Sequence, residues 1–162
     1  MNKILLVSAI AGLTFASVAA NALEATTNFQ VTLTVRKACS VSATNLAFAP
    51  TDPGATATPV SANIVVTCSK NTPYSVGLLP GNSNANGAGT MAGTGANTET
   101  IDYVLRSGSS TGTAWGNTIG TNVVSGMSPT GVAVTHPVFG TATVGNVLPD
   151  SYSDTVKVTV TY

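Results

Sequence analysis

The sequence predicts an all-β fold of the sandwich type, and three observations carry that expectation. Phe29-Gln30-Val31-Thr32-Leu33-Thr34-Val35 and Thr155-Val156-Lys157-Val158-Thr159-Val160-Thr161-Tyr162 both alternate apolar and polar residues with period two, as strands with one buried face do. Further short strand-like runs follow one another between turn residues. After the leader almost nothing reads as helix, and Gly, Pro, Thr and Val are scattered throughout.

The chain opens with a leader. Lys3 supplies a positive start, Ile4 to Phe15 is mostly apolar but too short to span a bilayer, and Ala20-Asn21-Ala22 is a small-x-small cleavage site. Residues 1–22 are therefore expected to be a signal peptide, with an uncleaved anchor as the competing reading. Its removal leaves 140 residues, enough for one domain with a core of its own. Thr27–Arg36 reads as the first strand and Cys39–Phe48 as the next, weak in its middle. Pro50-Thr51-Asp52-Pro53-Gly54 signals a turn. Ala62–Cys68 and Tyr74–Leu79 are strands, the second closed by Pro80-Gly81. Asn82 to Asn97, rich in Asn, Gly, Ala, Ser and Thr, reads as a loop. Ile101–Arg106 alternates again, Gly108 to Gly112 is a loop, and Val132–Val134 leads into His136–Gly140. The last strand is expected from Ser153 to Tyr162. A spare strand near the start and a final strand running to Tyr162 suggest subunits that complete one another.

Charged residues make up 7% of the chain, against a usual figure of about 25%. After the leader, Arg36, Lys37, Lys70, Arg106 and Lys157 face Glu24, Asp52, Glu99, Asp102, Asp150 and Asp154. This balance offers no basic patch, so nucleic acid is excluded as a partner. Low charge on a β-rich chain favours edge-to-edge association. Cys39 and Cys68 are the only cysteines, and in an exported chain such a pair reads as a disulfide. Closing that loop removes roughly 3–4 kcal/mol of unfolded-state entropy. With His136 the only histidine, no metal site is expected, and no cofactor.

Several patterns imitate catalytic motifs. Gly108-Ser109-Ser110-Thr111-Gly112 fits the nucleophile-elbow spacing, but no helix follows it, and Ser110 would need His136 with Asp150 or Asp154. Gly87-Ala88-Gly89-Thr90-Met91-Ala92 fits a dinucleotide fingerprint that works only ahead of a helix. Asp150 and Asp154 could pair for sugar hydrolysis, yet acids flanking a turn before a strand are more often solvated or bonded to backbone amides. Trp115 reads as core rather than a sugar platform, and His136 as structural. No enzyme is expected.

Cys39-Ser40-Val41, Leu46-Ala47-Phe48, Ile64–Cys68, Tyr74–Leu78, Ile101–Leu105, Trp115-Gly116, His136–Gly140 and Tyr152–Tyr162, taken in that order, resemble the spore coat protein U family, which includes subunits of archaic chaperone–usher pili. Ala49 stands where the family often has Gly, and Phe139 where Tyr is common. The resemblance implies an incomplete immunoglobulin-like β-sandwich completed by donor-strand exchange, over residues 39–162. A periplasmic chaperone would lend a strand during export. At the outer-membrane usher, the extension of the next subunit, a neighbouring copy or a related subunit of the same fibre, would replace it, building an extracellular surface fibre for adhesion or biofilm formation. Residues 23–38 are the expected donor extension, with Phe29, Val31, Leu33 and Val35 as its apolar face. Val156, Val158 and Val160 are expected in the acceptor groove. The alternatives are that Thr27–Arg36 pairs within its own subunit, and that the protein is a coat protein or glycan-binding module without strand exchange.

Overall fold

A computed structural model describes residues 23–128 and 130–162. The expected signal peptide, residues 1–22, lies outside the described residues. Contacts divide the chain between Thr34 and Val35. Residues 23–34 form neither strand nor helix, and Phe29 and Leu33 are 87% and 88% exposed. The strand expected over Thr27–Arg36 is thus not formed in the single chain. Alternation specifies a face, but a strand also needs a neighbour to bond its backbone groups.

The body from Val35 onward holds eight strands: β1 Cys39–Ala43, β2 Val60–Cys68, β3 Thr72–Leu79, β4 Ala88–Ala92, β5 Thr100–Ser107, β6 Val124–Ser128, β7 Val134–Thr143 and β8 Lys157–Thr161. All pairings are antiparallel. One sheet has the order β1-β2-β7-β5-β4, the other β6-β3-β8. The described residues contain no helix.

The core lies between the sheets. Along β2, Ala62, Ile64, Val66 and Cys68 are buried at alternate positions; along β5, so are Ile101, Tyr103 and Leu105. Trp115, between β5 and β6, is 1% exposed. Its indole N–H donates to the Val76 carbonyl at 2.8 Å, so the buried polar atom is satisfied. Cys39 and Cys68 stand opposite each other in the β1–β2 register and form a disulfide. Leu46 and Phe48 pack against the core over β7, where a Cβ on Gly140 would meet Leu46 at 2.7 Å and Phe48 at 3.1 Å.

Five points of the expected strand layout are corrected. The stretch Asn82 to Asn97, read as a loop, contains β4. The strand β6 was not expected at all. Only Cys39–Ala43 of the Cys39–Phe48 run is strand, and β8 occupies the latter part of Ser153–Tyr162. The two short pieces around His136 are one strand, β7.

Both unexpected strands share one device. Gly89 of β4 lies opposite Tyr103 of β5, and Gly126 of β6 lies opposite Tyr74 of β3. In each pair the tyrosine ring fills the space where a glycine side chain would be. A ring laid over a strand glycine replaces the packing that the glycine lacks. Gly89→Ala should therefore destabilise the protein by about 1–3 kcal/mol, because the Tyr103 ring must move. Gly145→Ala, where a Cβ meets nothing nearer than 3.9 Å, should change stability by less than about 1 kcal/mol. Denaturant unfolding of both variants checks this, and equal effects would contradict it.

Candidate functional site

A cleft of about 1040 Å³ lies between the sheets. On one side runs the approach to β8 and the strand itself, with Val156 and Val158 in the lining; on the other run Ala43, the end of β1, and the irregular segment 44–53. Its floor comes from the inner faces of both sheets, including Ile64, Leu78, Leu105 and Val138. β8 pairs with β3 along one edge, and its other edge carries no ladder among the described residues. β1 likewise pairs only with β2. The cleft therefore has a largely apolar floor beside a strand edge that carries no ladder among the described residues, with Asp52, Asp150 and Asp154 also in its lining.

Val156, Val158 and Val160 all pack against the core, half-buried, on one face of the terminal segment. Val156 and Val158 line the cleft; Val160 does not. Phe29, Val31, Leu33 and Val35, the alternate residues of the extension, are all exposed.

The cleft's rim is tied by polar side chains. Asp150 accepts hydrogen bonds from the Thr94 hydroxyl, the Thr94 amide at 2.8 Å, the Asn97 side chain at 2.8 Å and the Ser151 amide at 2.7 Å. The Thr94 hydroxyl bond leads these in holding the Asp150 carboxyl well below the usual carboxylate range. Asn97 also donates to the Tyr152 hydroxyl at 3.0 Å, which donates to the Leu148 carbonyl at 2.8 Å. Ala92 and Ser153 exchange backbone bonds at 2.9 and 3.0 Å. Further in, the Tyr103 hydroxyl donates to Asp154 at 2.6 Å, and the Gly81 amide donates to the same oxygen at 3.2 Å. Burial first, then the Asp154 carboxylate, pushes the Tyr103 hydroxyl far up, so it stays a donor. These bonds fasten the turn between β4 and β5 to the segment leading into β8. The sequence reading named Asp150 and Asp154 as possible partners for chemistry; the structure places them in this scaffold. Thr94, Asn97 and Tyr152 were missed, because polar residues in a low-complexity run carry no periodic signal.

The other candidates lie elsewhere. The Tyr74 hydroxyl bonds His136 Nε2 at 2.8 Å, and the His136 ring meets both Tyr74 and Trp115 edge-on. Burial lowers its pKa, favouring the neutral ring. Ser110 sits in the turn after β5, whose backbone closes from Gly112 to Ser109. The run starting at Gly87 leads into a strand, β4, and not into a helix.

The family model for the Spore Coat Protein U domain matches residues 25–159. The chain belongs to the Spore Coat Protein U domain family. Among solved structures, it is similar to a chain in the CsuC–CsuE chaperone–tip adhesion subunit pre-assembly complex from archaic chaperone–usher Csu pili of Acinetobacter baumannii. The TM-score is 0.55 at 26% identity, over 80% of this chain and 40% of that one. A second structure, a chaperone–tip adhesin complex of CFA/I fimbriae biogenesis, gives a TM-score of 0.48 at 14% identity. It covers 75% of this chain and 41% of its own, a likeness too distant to add to the assignment. This Spore Coat Protein U domain chain thus spans less than half of either solved chain. No curated protein matches it.

The Asp150 ties have a pH signature. A carboxyl held low by native hydrogen bonds stabilises the fold above its unfolded value of about 3.9 and loses that contribution as pH falls below it. The melting temperature should therefore drop as pH is lowered from 5 through about 3. Asp150→Ala should start lower at pH 7 and drop by less. Circular dichroism melts across that range test this, and parallel profiles for the two proteins would refute the role given to Asp150.

Proposed function

We propose that the protein is a structural subunit of a surface fibre of the archaic chaperone–usher type, built by donor-strand complementation. One observation carries the reading: an open apolar cleft runs beside the unpaired edge of β8, in a chain with an exposed, alternating extension. Residues 23–38 are the donor extension and residues 39–162 the accepting domain. Phe29, Val31, Leu33 and Val35 of one copy enter the cleft of the next, against Val156 and Val158, with Val160 beyond the cleft lining on the same face. Backbone bonds to β8 add the ladder that its free edge lacks. Burying the four side chains is worth roughly 6–12 kcal/mol as an upper bound. A head-to-tail contact that does not close on itself makes a filament.

During export, residues 1–22 act as a signal peptide, and a periplasmic chaperone fills the cleft until the outer-membrane usher exchanges it for the next copy's extension. The fibre stands outside the cell and supports adhesion or biofilm formation. The protein's role is mechanical and not catalytic. A glycan-stacking role for Trp115 is disfavoured, because its ring is buried and its N–H is occupied.

Because one face of the extension is buried on docking and the other is not, Val31→Asp should reduce fibre yield about tenfold or more, while Thr32→Asp should have a small effect. Electron microscopy of cells producing the protein with its chaperone and usher gives the readout, and equal effects would contradict a one-sided donor strand. Deleting residues 23–35 should leave a subunit that the chaperone still binds but that forms no fibres. Normal fibres from that deletion would overturn the donor assignment.

A further inference from the structure

The few charges of the body are sorted along the strand axis. All five carboxylates between Val35 and Tyr162 lie towards one end. Asp102 pairs with Thr143 at the close of β7, and Asp52 sits beside the turn where Gly54 bonds Gly145. Glu99 bonds the Leu148 amide, Asp150 bonds Thr94, and Asp154 precedes β8. The opposite end carries Lys70, in the turn from β2 to β3, and Arg36 and Lys37, which precede the Ala38–Ser69 backbone bond. Arg106 lies between the ends, on β5. Lys157 is at the acidic end but points to the outer face, alternating with Val156 and Val158. Asp52, Asp150 and Asp154 all line the cleft, and no lysine or arginine does.

The extension has its own polarity. Its apolar face ends at Val35, and Arg36 and Lys37 follow directly. We infer that these charges set the direction and register in which one copy docks on the next, an inference that rests on the proposed function. The donated strand runs antiparallel to β8, with Leu33 opposite Val158 and Val35 opposite Val156. Lys37 of the donating copy then falls level with Asp154 of the accepting copy, beside Asp150. Residues directly opposite in an antiparallel pair share a face, so apolar meets apolar along the floor and the ammonium meets the carboxylate at its end.

The competing arrangements are each penalised. Sliding the strand by two residues one way sets Val35 against the Asp154 carboxylate. Sliding it the other way sets the Lys37 ammonium against Val156 on the apolar floor. Reversing the strand brings Arg36 and Lys37 to the end that already holds the acceptor's Lys70, a like-charge contact. Opposite charges at the leading contact also speed encounter and make it salt-dependent.

Cysteine pairs in the full chain, produced with chaperone and usher, read the geometry directly. Val31→Cys with Val160→Cys, and Val35→Cys with Val156→Cys, should each give a ladder of linked subunits on non-reducing gels that collapses on reduction. Val31→Cys with Val156→Cys, and Val35→Cys with Val160→Cys, should not. Lys37→Glu, at an exposed position, should slow assembly about tenfold at low salt, with the difference shrinking at high salt. Ladders from the second set of pairs, or assembly unaffected by Lys37→Glu, would overturn this inference and leave donor-strand exchange standing. Normal fibres with no ladder from any pair would overturn this register as well, whereas normal fibres from the chain lacking residues 23–35 would bring down the proposed function itself.

Discussion

β8 is hydrogen-bonded to β3 along one edge and to no strand along the other among the described residues. That edge governs the rest of the molecule. A strand with one neighbour leaves backbone donors and acceptors in water and leaves its inward side chains half-covered. Val156, Val158 and Val160 are half-buried, while Val66 and Val76, on strands with two neighbours, are fully buried. The same residue type thus meets two environments within one core, and the difference is the absence of a neighbouring strand.

A sandwich with such an opening must hold its shape by other means. Trp115 fills the interior beside the inner face of β3 and bonds its backbone, and the His136–Tyr74 bond joins β7 to β3 across the two sheets. The disulfide fastens β1, an edge strand of five residues, to β2. At the other end, Asp150, Thr94, Asn97 and Tyr152 bind two loops that would otherwise frame the cleft loosely. In the assembly proposed above, these ties would leave little ordering to be done on docking.

Much of this was legible in the sequence, for a definite reason. β2, β5 and β8 have one buried face, so their apolar residues recur every second position, and the alternating run at Phe29–Val35 shows the same period. The family resemblance added the incomplete sandwich, which alternation alone does not specify. β4 and β6 were illegible because their inward positions include Gly89 and Gly126, and glycine reads as a turn in a one-dimensional string. The tyrosines that compensate, Tyr103 and Tyr74, are on other strands. Their pairing exists only once the register is known. The polar ties of the rim were hidden for a similar reason. Asp150 and Thr94 are 56 positions apart, and neither sits in a pattern that announces the other.

The glycine–tyrosine pairs also bear on how the cleft is built. Tyr103 lies over Gly89 and also donates to Asp154, so one ring packs across β4 while its hydroxyl holds the segment that leads into β8. A phenylalanine at that place would keep the packing over Gly89 but release Asp154 from β5, leaving it to the Gly81 amide at 3.2 Å and the Thr155 amide at 2.7 Å. A side chain at Gly89 would do the reverse, pushing the ring off its seat and dragging the hydroxyl with it. Two features that look separate in the sequence, a flexible-looking glycine run and an acidic turn ahead of the last strand, therefore act through one aromatic side chain. The position of the cleft's acidic wall depends on the register of a strand at the far edge of the opposite sheet.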